Sequence, residues 1–198
     1  MGKSISKSHS ISVLRYLTRA VFFTVLFTSF ADSLWSQTLP SECGVLRSEG
    51  RFGPYDYRSD HYIPENTHRS HGALLNLVER AHFTPEVEAN IRGKTSTTSG
   101  PDMAYTLHAF PNHHRALLSM IALAEKGRTD KPFGSPYPIE CWLKRAIAFR
   151  PDDHIARLIY ASFLVAKGGR NDEADAQLNQ AAKDSNSDAF TYRNIGLI

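Results

Sequence analysis

The sequence is poor in cysteine and has no long apolar run. Its 198 residues hold two cysteines, Cys43 and Cys141, too few for a multiply bridged scaffold or a four-cysteine zinc site. Their separation also rules out a C-x-x-C redox pair. The most apolar stretch, Ala20 to Phe30, is about half of the roughly 20 residues needed to cross a bilayer core. No cysteine follows it closely enough to carry a lipid. G-x-S-x-G, H-E-x-x-H, the P-loop and the Gly-rich dinucleotide loop are all missing, which removes the usual sequence grounds for a hydrolase or a nucleotide enzyme. There is no N-x-S/T sequon, and there is no acidic residue before Asp32.

What is present begins with a leader-like pattern. Lys3, Lys7, Arg15 and Arg19 precede AVFFTVLFTSF, and Ser29-Phe30-Ala31 offers small residues at a cleavage spacing. This is the grammar of a secretory signal over residues 1–31. An uncleaved inner-membrane anchor is the rival reading. Removing the four cations changes the formal charge from +3 to a balance of 19 Lys and Arg against 20 Asp and Glu. The basic excess is then a targeting feature and gives no ground for nucleic-acid binding. In an exported chain the two cysteines can persist as a disulfide closing a loop of 98 residues, worth about 4–5 kcal/mol by chain entropy. Two unpaired, partly buried thiols are the other reading.

Residues 32–72 show little periodicity. They are rich in Gly, Pro, Tyr and Arg, which predicts an extended, irregular segment held by Phe52, Tyr55, Tyr57 and Tyr62. From residue 73 the pattern is helical. ALLNLVERAHF sets Leu74, Leu75 and Val78 on one face, and Thr84-Pro85-Glu86 starts a second helix expected to stop at Gly93. Residues 93–102 read as a mobile polar loop and 103–110 as a short helix. Stronger helices follow over 112–126, 138–150 and 154–167, the last apolar almost all round. On the 138–150 helix, Ile139, Trp142, Leu143, Ala146 and Phe149 share a face. Cys141 lies off it beside Arg145, where a second segment can reach it, and this favours the bridge. Asp172 is expected to cap a helix that carries Ala174, Leu178 and Ala181. The fold class is all-α.

Two stretches share one grammar: AFPNHHRALLSM (109–120) and AFRPDDHIARLIY (148–160). Each ends an apolar helix at a proline and restarts after a short polar cap. WLKRAIAFRPDD, with Trp142 or Leu143, Ala146 and Pro151, resembles the second helix and exit of a tetratricopeptide repeat. Tyr160-Ala161, then Ala174, Leu178 and Ala181, then Tyr192, Ile195 and Gly196 match later positions of that family. The spacing from Pro151 to Asn186 is 35 residues, close to the family period, and from Pro111 to Pro151 it is 40, the excess lying in the loop 127–138. The resemblance covers 112–198, in units 112–151, 152–186 and a partial 187–198, and more weakly 73–111. Arg157 and Thr106 depart from it. It implies a helical-hairpin solenoid over 73–198, with a further helix or a partner beyond Ile195 and Leu197. It also implies a peptide groove lined by Arg115, Leu118, Leu158, Ser162, Phe190, Arg193 and Asn194, in which the N-terminal segment could itself lie.

The function so implied is a non-enzymatic scaffold in the periplasm or outside the cell. It would bind a protein or peptide and assemble a secretion, pilus or polysaccharide system, with no cofactor, nucleic acid or small-molecule substrate. The competing class is a histidine-dependent metal-binding or hydrolytic protein. Its material is the eight histidines beyond residue 31, among them His61, His68 and His71 in the irregular segment, and His108, His113 and His114 around Pro111. None has the spacing of a known metal motif, and adjacent His113 and His114 are not expected to serve one site.

Overall fold

Proline and capping residues divide the chain into short helices that pack in sequence order. A computed structural model describes residues 39–47, 52–61 and 71–198, with 60, 61, 71 and 72 given by backbone alone. The leader pattern, Tyr62 and His68 lie outside the described residues. A 3-10 turn, Ser41–Cys43, is followed by α1 (Tyr57–His61), α2 (His71–His82), α3 (Pro85–Glu88), α4 (Ser99–Ala109) and α5 (His114–Gly127). Then come α6 (Ile139–Phe149), α7 (His154–Lys167), α8 (Asn171–Asp184) and α9 (Ala189–Ile195). No strand occurs among the described residues, as the all-α reading expects. No helix among them is long and apolar enough to cross a membrane.

The contact pattern is regular. From α4 onward each helix packs on the next, and α5 also packs on α7, and α7 on α9. Helix α7 therefore touches four others, which explains its near-uniform apolar surface: residues 156–161 are all buried. The main core joins Val87, Met103 and Leu107 to Leu117 and Met120, and continues through Trp142, Leu143, Ala146, Ile159 and Leu164. Small residues at helix crossings, Ala146, Ala161, Ala174 and Ala181, are at most 1% exposed and let backbones approach.

The two proline junctions have the same backbone. Phe110 and Arg150 end α4 and α6 with φ −131° and ψ 84° or 85°. Three residues later His113 and Asp153 each accept a hydrogen bond from the third residue beyond, Ala116 or Ala156, as N-caps of α5 and α7. Asp188 caps α9 in the same way through the Thr191 amide. The sequence grammar at 109–120 and 148–160 is thus one local structure used twice, and its cap is used a third time.

Several local expectations are corrected. Helix α3 ends at Glu88, short of Gly93, because Asn90 enters the left-handed region at φ 56° and the Ile91 amide turns back to Glu86. Helix α4 starts at Ser99, inside the stretch read as a mobile loop. Residues 94–96 wrap the buried Asp102, which accepts from the amides of Lys94, Thr95 and Ser96. Gly100 is required there, since a Cβ would lie 2.1 Å from the Phe133 carbonyl oxygen. Arg170 replaces Asp172 as the residue before α8 and makes no side-chain cap. In α6, Phe149 is only half-buried while Ile147 is enclosed, and in α9 Thr191 is buried in place of Tyr192. Residues 57–61, expected to be irregular, are helical.

Candidate functional site

The irregular segment is fastened at two places. The Cys43–Cys141 disulfide lies against α6 with both residues buried. Beside it Arg145 is fully enclosed: Nη1 donates to the carbonyls of Cys43 and Val45, both at 2.9 Å, and the guanidinium lies over Tyr137 and Trp142. A delocalised cation over two rings is cheaper to bury than an ammonium. Farther along, Tyr55 N–H donates to the Ala109 carbonyl, and the Tyr55 ring packs between Phe52 and Phe110.

The second fastening is a polar knot at the N-terminal ends of α5 and α7. Asn112 is fully buried: its Oδ1 accepts from Tyr57 N–H, while Nδ2 donates to Asp56 at 2.7 Å and Asp153 at 2.8 Å. Asp153, also fully buried, takes in addition the Ala156 amide and His114 Nε2. Burial alone would raise its carboxyl, but the His114 and Asn112 bonds outweigh that and hold it below the ordinary value. Arg58 bridges Asp56 and Asp152 at 3.0 Å each, and Arg150 lies 2.9 Å from Asp56. Side chains from three segments, 56–58, 112–114 and 150–153, thus meet in one network.

Beside this knot opens a cleft of about 470 Å³ between Tyr57 and Arg58 on one side and His154, Ile155, Asp188 and Phe190 on the other, with His114 between them. It runs along the capped ends of α5, α7 and α9. Phe190, one of the residues proposed for the groove, is 58% exposed at its edge. The other proposed groove residues are dispersed. Leu118 and Ser162 are exposed on α5 and α7, and Ser162 Oγ donates to Leu158 O. Arg193 is exposed on α9, and Asn194 donates to Phe190 O. Leu158 is buried, because the face it was assigned to is covered where α7 is enclosed by its neighbours. Arg115 is engaged by Glu88 and Glu79 and lies over Phe83, so it braces α5 against α2 and α3.

Four described histidines, His82, His108, His113 and His114, make side-chain contacts of this kind, and His154 lines the cleft. His82 Nδ1 bonds Asp102 at 2.8 Å, and its ring stacks on Tyr105. Burial opposes the charge on Asp102, but bonds from Thr95, His82 and the Lys94 amide bring it down to about 2. His108 Nδ1 faces Arg145 Nη2. His113 and His114 both contact the Tyr57 ring, yet their nitrogens serve different carboxylates, Glu79 and Asp153. No cluster of three or more His, Cys, Asp or Glu residues suited to a metal occurs among the described residues. The side chains of His61, His68 and His71 lie outside them.

His113 gives a pH prediction. It is fully buried, its Nδ1 accepts from the Ala116 amide, and Nε2–H therefore donates to Glu79 at 3.0 Å. Burial lowers its pKa below 6.5, against the opposing pull of Glu79. The unfolded chain then takes up a proton before the folded one does, so stability falls as pH drops below the ordinary value. Urea unfolding at about pH 5.5 should give a lower free energy than at about pH 7.5, and His113→Asn should shrink that deficit. An undiminished deficit in the variant would assign it to other groups.

Sequence reasoning missed Asp56, Arg58, Asn112 and Arg145. Only the placement of Arg145 next to Cys141, off the apolar stripe, hinted at its contact with the N-terminal segment. Neither protein-family models, curated proteins nor solved structures yielded a match to this chain.

Proposed function

We propose that this protein is an exported, non-enzymatic adaptor whose helical hairpins, tetratricopeptide-like in layout, hold a protein or peptide of the cell envelope. The observation that carries the reading is the reuse of one junction. The same exit dihedrals and the same cap at Phe110–Ala116 and Arg150–Ala156 set α5 beside α7, and the Asp188 cap sets α9 beside α7. Helices placed side by side offer an extended partner a row of equivalent positions. Leu118, Ser162, Phe190 and Arg193 are the exposed positions of that row, with the Phe190 cleft at one end. A secretion, pilus or polysaccharide assembly is the class of system such an adaptor serves, and an inner-membrane tether remains compatible with this role if the leader is retained.

The test is crosslinked affinity capture from intact envelopes, comparing the native chain with Leu118→Asp/Phe190→Asp. Both side chains are more than half exposed, so the double variant should fold. A reproducible partner should be captured by the native chain and lost by the variant. Equal capture by both would place binding elsewhere, and capture of nothing would count against an adaptor role.

A further inference from the structure

The ring of His113 stands between two apolar clusters that belong to different parts of the fold. On one side is Phe83 of the main core, edge-on at 4.8 Å. On the other is Tyr57, stacked at 4.2 Å, which belongs to a smaller cluster with Leu75, Val78, Ala109 and Phe110. Tyr57 comes from the N-terminal segment and is buried against the helices. Two amides tie this stretch down: Tyr55 N–H donates to the Ala109 carbonyl, and Tyr57 N–H donates to Asn112 Oδ1. Helices α4 to α7 are joined by the main core, so the stretch 52–58 can lift while they stay packed. The Cys43–Cys141 bridge keeps it attached when it does.

What lifts it follows from the bonds on His113. Nδ1 accepts from the Ala116 amide, and Nε2–H donates to Glu79 of α2. A second proton on the ring must go to Nδ1, where it would face the Ala116 N–H. The cap of α5 is then lost, and a cation lies under Tyr57 in a site closed to solvent. Glu79 favours that cation, but it also bonds Arg115, which adds a like charge from α5 and is itself held by Glu88 of α3. Burial prevails and keeps the enclosed ring neutral. The other charges nearby act the opposite way. A proton on His114 strengthens its bond to Asp153 of α7, and Arg58 ties its own segment to Asp152. Burial opposes the charges on Asp56 and Asp153, but bonds from Arg58, Asn112 and His114 hold both carboxyls below the ordinary value, so they stay ionised at pH 5. Lifting Tyr57 lets water reach the His113 ring, which then takes its proton at the ordinary value. Falling pH therefore favours the lifted form.

We propose that residues 52–58 form an acid-released latch: a second proton on His113 breaks the α5 cap and lifts Tyr57, uncovering Phe110 and Val78 and removing one wall of the neighbouring cleft. The latch rests on the fold and is independent of the proposed adaptor role. Hydrogen exchange of the full folded chain, followed by nuclear magnetic resonance and corrected for intrinsic rates, reads it at the Tyr55 and Tyr57 amides. Their protection should fall about 10–30-fold between pH 7.5 and pH 5.0, the upper figure being the most that one imidazole titrating near 6.5 supplies. Amides of α6 and α7 should keep their protection. His113→Asn, which retains a capping oxygen and does not titrate in this range, should flatten the change. Unchanged protection at Tyr55 and Tyr57, a parallel loss throughout α6 and α7, or an equal fall in His113→Asn overturns the latch. The comparison within the native chain decides the matter even where the variant does not fold.

Discussion

Replacing both cysteines, Cys43→Ser with Cys141→Ser, is expected to lower the thermal midpoint by on the order of 10 °C. The bridge closes 98 residues, and the chain-entropy cost of such a loop is about 4–5 kcal/mol. For a domain of this size each kcal/mol shifts the midpoint by about 2–4 °C. The loss extends beyond entropy, because Arg145 takes two carbonyl acceptors, those of Cys43 and Val45, from the segment that the bridge secures. Scanning calorimetry of the native and double-serine chains checks this. A midpoint within about 2 °C of the native value would mean that Arg145 and its aromatic stack hold the segment without the sulfur link.

Asp153→Ala should cost about 3–5 kcal/mol in urea unfolding, because it strips the buried knot of the carboxylate that His114, Asn112 and Arg58 face. The matching cap on α9 supplies the control. Asp188 is exposed and serves mainly Thr191, so Asp188→Ala should cost about 1 kcal/mol. Asp153→Asn, which keeps a capping oxygen and loses the charge, should fall between them. Equal costs at 153 and 188 would show that Asp153 acts as a helix cap alone. The carboxyl titrates below its ordinary value, so its contribution is present above that value and is lost as the pH falls through the folded one.

What could be read from the sequence followed its periodicity. The helix expected over 154–167 is α7 with the same ends, and those expected over 112–126 and 138–150 differ from α5 and α6 by one or two residues. Proline and the polar caps made those ends visible. The polar knot was not legible, because Asn112 meets Asp56 and Asp153 across separations of 56 and 41 residues, and no local pattern encodes such a meeting. Asp102 was misread for a related reason. A run of Gly, Ser and Thr looks unstructured until a buried carboxylate gathers its amides. Nothing in the local sequence announces the complete burial of His113, whose ring is covered by Tyr57 and Phe83 from distant segments.

The unequal spacing of the junctions gives the two ends of the helix stack different tolerances to change. The caps at His113, Asp153 and Asp188 are 40 and then 35 residues apart, and the surplus is taken up in the loop after α5, at the end opposite the caps. Extra residues there leave every helix face where it was. A single residue inserted between Ala109 and His114 would instead turn α5 by about 100°, carrying Leu117 and Met120 out of the core. Chain length can therefore drift, or be engineered, at the loop end, while the capped end must keep its register.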